Sequence, residues 1–302
     1  MPGRMPTLAA VACLVLALAG CGTASVHTIG GRVRILAAES FWGSIARQLG
    51  GVHATVASVI SNPAQDPHSY EPTAVDARAF ANAQLTIVNG LSYDPWAPRL
   101  LAANPVHGRV ELNVGSLLGL PAGANPHRWY DPDDVRRVAG AISAALGRAY
   151  PARRAYFAHA LRAFRTRGLA TYAHLIATIR RRYAGIAVGA SESIFALQAP
   201  ALGLRLLTPP GFMKAVSEGV EPTAQDTLVT ERQIREHAIA VWVVNSQNLT
   251  PEVQRLNDVA RGAGVPIARV TETLTPQTDS FQQWQVAQLR ALQAALHRGT
   301  GR

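Results

Sequence analysis

Short runs of β-branched and aliphatic residues alternate along this chain with stretches whose apolar positions recur every three or four residues. The runs at 34–38, 54–60, 85–89 and 110–114 occupy the first half, and those at 186–189, 204–207, 240–244 and 267–270 the second. Strand-length runs separated by helical patterns predict βαβ units, because parallel neighbours need a crossover helix between them. The pattern therefore predicts an α/β protein of two similar lobes, each a mostly parallel four-stranded sheet with flanking helices. Between the lobes, residues 152–183 contain no proline and keep the helical period from Tyr156 to Ile179. Pro151 at the first turn and Gly185 past the end punctuate one helix of roughly 45 Å, a stiff connector. The expected division is a leader at 1–20, a first lobe at 21–150, the connecting helix at 151–183 and a second lobe at 184–302.

A repeated phrase supports two lobes. EPTAVD at 71–76 returns as EPTAQD at 221–226. In each copy a threonine (Thr73, Thr223) is followed three residues later by an aspartate (Asp76, Asp226), a short capping box that starts a helix. Only the first copy is preceded by a histidine, His68.

Composition adds location and removes some functions. The first 21 residues carry one early cation, Arg4, then an apolar run at 8–19 that ends in Leu-Ala-Gly-Cys. The run is shorter than the roughly 20 residues a spanning helix needs, and its layout is that of an export signal. The last four residues resemble a bacterial lipobox, which makes Cys21 the lipidated first residue of a membrane-anchored chain. With Cys13 inside the signal, no cysteine remains for a disulfide or a thiolate metal site. Net charge is +10 and every cation except Lys214 is arginine, but these are scattered without an aromatic stacking platform. That argues against nucleic acid as a partner and for a face beside an anionic membrane.

The candidate chemistry lies in two loops. His68, in DPHSYEPT, precedes the first capped helix. His127, in NPHRWYDPDD, follows the strand at 110–114, and Asp131-Pro132 behind it opens a helix as N-cap and N1. Two histidines at carboxyl ends of strands, each beside a proline, point at the crevice where open α/β sheets bind ligands. Asn125 beside His127, and Ser69-Tyr70 beside His68, are candidates to orient the imidazoles.

Together these two motifs resemble the metal-binding solute-binding lipoproteins of bacterial ABC importers, the zinc/manganese group, and the similarity runs from the lipobox to the closing SFQQWQVAQLRAL. The resemblance implies one metal ion in the cleft between two lobes joined by a rigid helix, with two ligands from each lobe. In SESIFALQAPALGL it places Glu192 where zinc-type members carry histidine, as manganese-type members do. In RVTETL it places Glu272 where an aspartate is usual, with Asp279 as the second choice. The expected metal set is thus His68, His127, Glu192 and Glu272. Two imidazoles and two carboxylates suit divalent first-row ions and neutralise the charge. The oxygen content leans slightly to Mn2+, with Zn2+ and Fe2+ also accommodated. The implied protein is a monomeric, non-catalytic capture protein on the extracytoplasmic face of the bacterial cell membrane, handing metal to an ABC permease and its ATPase subunit. Two other classes are a metal-dependent hydrolase, against which stands the lack of HExxH or GxSxG, and an adhesin-like surface lipoprotein.

Overall fold

A computed structural model describes residues 31–65 and 70–302; the leader with Cys21, and His68 within 66–69, lie outside the described residues. The first sheet contains β1 (Val33–Glu39), β2 (Ala54–Ile60), β3 (Leu85–Val88) and β4 (Val110–Asn113). The second contains β5 (Ala187–Ala190), β6 (Arg205–Leu206), β7 (Trp242–Asn245) and β8 (Ile267–Val270). Their orders are β2-β1-β3-β4 and β6-β5-β7-β8, and every pairing is parallel. The expected strands are all present, with β6 cut to two residues and β7 shifted toward Asn245. The central strands β3 and β7 are buried along their whole length, as parallel strands covered on both faces must be.

The winding matters for function. In each sheet the second strand lies on one side of the first and the third on the other, so the direction of winding reverses between β1 and β3, and again between β5 and β7. At such a reversal the covering helices part and leave a crevice over the carboxyl ends of the strands.

Both copies of the repeated phrase start helices. Thr73 caps the helix Ala74–Asn82, accepting from the Asp76 backbone N–H while the Asp76 carboxylate accepts from the Thr73 N–H at 2.7 Å. Thr223 caps Ala224–Arg235 by accepting from the Asp226 N–H at 3.1 Å.

The connector is helical from Arg154 to Tyr183, with one feature that a 3.6-residue period does not anticipate. The α-helices Arg154–Ala163 and Ala170–Tyr183 are separated by a π turn, Phe164–Gly168, in which the Leu169 N–H donates to the Phe164 carbonyl at 2.8 Å.

One continuous apolar core runs from Val33 in the first lobe to Leu296 in the second. A smaller cluster around Phe80 and Trp96 packs elsewhere in the first lobe. The last helix, Phe281–Thr300, staples the halves together. Its first residue donates its N–H to Ser44 Oγ at 2.9 Å, and the amides of Gln282 and Gln48 exchange hydrogen bonds at 2.8 and 3.1 Å. Behind them Tyr172, Phe281, Trp284 and Tyr130 form an edge-to-face chain with centroids 6.0–6.3 Å apart. Among the described residues no helix is long and apolar enough to cross a membrane.

Because the two threonine caps perform the same task, Thr73→Ala and Thr223→Ala should each destabilise the protein by about 1 kcal/mol. Urea titration would read this as a lower midpoint at unchanged slope.

Candidate metal centre

The two crevices face one another, and several of the side chains along them stand at carboxyl ends of strands. Glu39 closes β1 and Asn89 follows β3; Asn245 closes β7, while Glu192 and Glu272 lie two residues beyond β5 and β8. Extending the pairings Ala37↔Ile87 and Ala190↔Val243 by two residues sets Glu39 opposite Asn89 and Glu192 opposite Asn245. Each lobe thus carries a Glu-Asn pair at its switch point.

His127 is fully buried. Its loop is fixed from behind by Asp131, which accepts from the N–H groups of Asp133 and Asp134 at 2.8 and 3.2 Å with Pro132 at N1. The tautomer follows from the surroundings. Asn125 Oδ1 accepts the His127 backbone N–H at 3.0 Å, and Asn125 Nδ2 donates to the Ser193 carbonyl at 2.7 Å, so the amide has one orientation. That same Oδ1 lies 2.9 Å from His127 Nδ1, which must therefore carry the proton. Nε2 lies 3.8 Å from Glu192 Oε1. Asn125 orients the imidazole as its position in the sequence suggested. Tyr93 and Trp129 meet the ring edge-to-face at 5.9 and 5.2 Å.

Glu192 and Glu272 are buried side by side. One amide serves both: Asn245 Nδ2 donates to Glu192 Oε2 at 2.8 Å and to Glu272 Oε1 at 2.7 Å. Asn245 Oδ1 accepts the Gln247 N–H at 3.0 Å, which turns its nitrogen toward the carboxylates. Gln247 in turn accepts the N–H groups of Glu272 and Thr273 through Oε1 and donates to the Pro63 carbonyl of the first lobe. Glu192 Oε1 has no hydrogen-bond partner among the described residues. Burial, and then the charge of Glu272, push the Glu192 carboxyl well above its ordinary range.

The first lobe answers with Tyr93, whose hydroxyl donates to Glu272 Oε2 at 2.7 Å. Beneath it Glu39 and Asp94 are buried together. Asp94 accepts the N–H groups of Asn89 and Gly90 at 2.8 and 2.7 Å. Burial, and then the Asp94 charge, raise the Glu39 carboxyl.

One ligand atom from each of His127, Glu192 and Glu272 lies within 4.8 Å of the others. Ligand atoms around a tetrahedral ion with bonds of about 2.1 Å stand about 3.4 Å apart, so small movements close this set on an ion. Asp279 is not part of the group; its N–H bonds the Pro276 carbonyl at the entrance to the last helix. Tyr70 turns to Asp76, donating at 2.8 Å, and its ring meets Trp96. Sequence reasoning missed Asn245, Tyr93 and the Glu39-Asp94 pair. One signal was available: a buried Val-Asn closes the central hydrophobic run of each lobe, at 88–89 and 244–245.

Residues 35–295 match the model of the family described as ZnuA, zinc-uptake complex component A periplasmic. The manganese-binding lipoprotein MntA of Halalkalibacterium halodurans is 28% identical over 135 residues, 43% of this chain and 44% of that protein, so the match spans under half of either. Three solved structures share the fold. A periplasmic metal binding protein of Candidatus Liberibacter asiaticus superposes with TM-score 0.74 at 18% identity, covering 88% of this chain and 100% of the other. For the periplasmic zinc binding protein TroA of Treponema pallidum the values are 0.72, 17%, 88% and 100%. For the Mn2+ complex of FpvC from Pseudomonas aeruginosa they are 0.70, 20%, 88% and 98%.

Raised carboxyls set the pH response of the metal-free protein. Above the unfolded-chain value of 4.5, folded Glu192 and Glu39 keep protons that the unfolded chain has released. Stability then falls as pH rises through that window. The melting temperature of metal-free protein should drop as pH rises above 4.5, and Glu192→Gln should flatten the drop; a slope unchanged by the substitution would show that Glu192 does not titrate there.

Proposed function

The chain belongs to the ZnuA family of zinc-uptake complex component A periplasmic proteins, and we propose that it captures one divalent first-row metal ion outside the cell membrane and passes it to an ABC permease driven by an ATPase subunit. Supporting this is the convergence of His127, Glu192 and Glu272 in a buried cleft between the lobes. His127 Nε2 and Glu192 Oε1 are the two ligand atoms on either side of that cleft, and Glu272 is the third ligand. His68, from the loop ahead of the Thr73 cap, is the fourth. The metal is cargo, so the same residues must bind it and let it go.

Four protein ligands leave no open position for an activated water, which sets the site apart from a metallohydrolase, where water completes the coordination. One relative is named for manganese and one structural neighbour for zinc. The donor set accepts Mn2+, Zn2+ or Fe2+: imidazole and carboxylate suit all three, and raw affinity rises toward zinc. Cys21, lipidated, holds the protein at the extracytoplasmic face of the membrane, where a permease can receive the ion.

Elemental analysis of the full chain, purified with detergent, is expected to show about one ion per chain. At metal concentrations a hundred times the dissociation constant, binding adds about 2.7 kcal/mol of stability. His127→Ala and Glu192→Gln should each abolish most of that shift, and His68→Ala should do the same if its loop supplies the fourth ligand. Metal content and melting temperature unchanged in both His127→Ala and Glu192→Gln would sink the proposal.

A further inference from the structure

The cations come in short scattered groups, yet the net charge is unevenly divided. Residues 135–191 carry 11 of the 29 cations and none of the 19 acids, so the whole excess of +10 belongs to the helix Pro132–Ala149 and the connector. The first lobe is divided too. β1 runs from Val33 toward Glu39 and the cleft, so the amino ends of the strands form the opposite pole. The segments 50–53, 82–84, 104–109 and 148–154 at that pole contain no acid. Glu111, on β4, is held by Arg109 at 2.8 Å. Arg32, Arg47, Arg148, Arg153 and Arg154 are exposed there, and none forms an ion pair among the described residues. Aromatic rings pack among them: His53 meets Tyr150 and Tyr156 edge-to-face at 6.1 and 4.6 Å, and the Arg153 guanidinium lies 6.0 Å from the centre of the Tyr150 ring. Beside His53, Val52 is 67% exposed, more than any other large hydrophobic residue described, and Tyr156 is 37% exposed. The described residues begin at this same place. A Cβ on Gly31 would stand 4.0 Å from the Tyr150 hydroxyl.

We propose that this pole is a docking surface for anionic lipid headgroups, on which the anchored protein stands with its first lobe down and its cleft raised above the membrane. The anchor decides the occupant. Cys21 and Gly31 are ten residues apart, at most about 35 Å of extended chain. A lipid on Cys21 therefore keeps this pole within reach of the bilayer and makes the contact an intramolecular one. Arginines attract headgroup phosphates, tyrosines place a polar tip on an apolar body, and an exposed valine adds apolar area; together they suit a face that rests on headgroups without crossing. The attraction acts over a Debye length, about 8 Å at physiological salt. Glu39 closes the seven-residue β1, about 23 Å from the pole, so the metal-binding acids of the cleft are held clear of like-charged headgroups. The inference takes from the proposed function only the anchor at Cys21; metal binding is independent of it.

The test places a fluorophore at the pole. Past the leader the chain has no cysteine besides Cys21, so Val52→Cys supplies one thiol for an environment-sensitive dye. Leu228→Cys, on the helix Ala224–Arg235 of the second lobe and 57% exposed in the parent residue, is the control. The full chain, purified in detergent with its anchor, is added to preformed vesicles of phosphatidylcholine alone or mixed with phosphatidylglycerol. On the mixed vesicles the dye at 52 should shift to the blue and lose most of its quenching by acrylamide, while the dye at 228 does not change. About 1 M salt, where the Debye length is about 3 Å, should reverse the effect, and Arg148→Gln, Arg153→Gln and Arg154→Gln combined should abolish it. Equal quenching at 52 on the two vesicles overturns the inference and leaves the arginines as a face for solvent or a soluble partner. Protection that survives the triple substitution overturns it, as does a dye better protected at 228 than at 52. A chain retained by neither vesicle refutes the anchor and the pose together. Metal titration of the same preparations reads the capture function separately.

Discussion

Two carboxylates buried side by side, sharing the two hydrogens of one amide, are the constraint around which this molecule is arranged. Glu192 and Glu272 repel one another where water cannot screen them, and Asn245 Nδ2 is the group that both accept from. Such a site is stable without metal only if protons stay on it, which is what the raised Glu192 carboxyl describes. A divalent cation relieves the same repulsion more completely. The cleft is therefore prepared for a cation before one arrives. The surrounding fold must carry the cost, and it does so with a core that runs unbroken through both lobes.

The lobes use one strand-end arrangement for two purposes. In the second lobe the Glu-Asn pair faces the cleft directly. In the first, Asn89 braces the histidine loop, donating to the Pro126 carbonyl at 2.9 Å while accepting from Trp42 Nε1 at 3.1 Å. Its partner Glu39 is buried beside Asp94, whose carboxylate holds the turn that carries Tyr93. Imidazole thus comes from the side where the acids are retired into the interior, and carboxylate from the side where they are kept at the surface of the cleft. The Asn125 amide, bonded to the Ser193 carbonyl, ties the two sides two residues from His127 and one from Glu192.

Much of this was legible in the chain. The eight hydrophobic runs correspond to eight strands, because parallel strands buried on both faces leave continuous apolar tracts. Asp131-Pro132 and the two threonine caps announce their helices by local chemistry alone. His127 stood out as a ligand type beside a proline in a loop after a strand, and Glu192 and Glu272 through the family resemblance. Asn245 and Tyr93 did not, since neither is a ligand type. Their roles depend on which strand end lies opposite which, and on a contact between residues 179 positions apart. Register across a sheet and contacts between lobes leave no periodic trace. The π turn was hidden for a related reason: an added residue looks like any other in a long amphipathic stretch.

That turn has a consequence in angular terms. Phe164 and Tyr172, buried on either side of it, are eight residues apart, the length of one π turn of about 4.4 residues and one α turn of about 3.6. They therefore stand on the same face of the connector. Eight residues of plain α-helix, at about 100° each, would overshoot two turns by about 80°. The extra residue is thus absorbed without rotation. Removing one of Arg165, Thr166 or Arg167 would leave a spacing of seven, only about 20° short of two turns, and the lobes would keep their angle. A residue inserted elsewhere in the connector has no such outlet. It would swing the second lobe by about 100° and carry Glu192 and Glu272 away from His127. The alignment of His127 with Glu192 and Glu272 is in this sense a matter of helical phase, set some distance from all three.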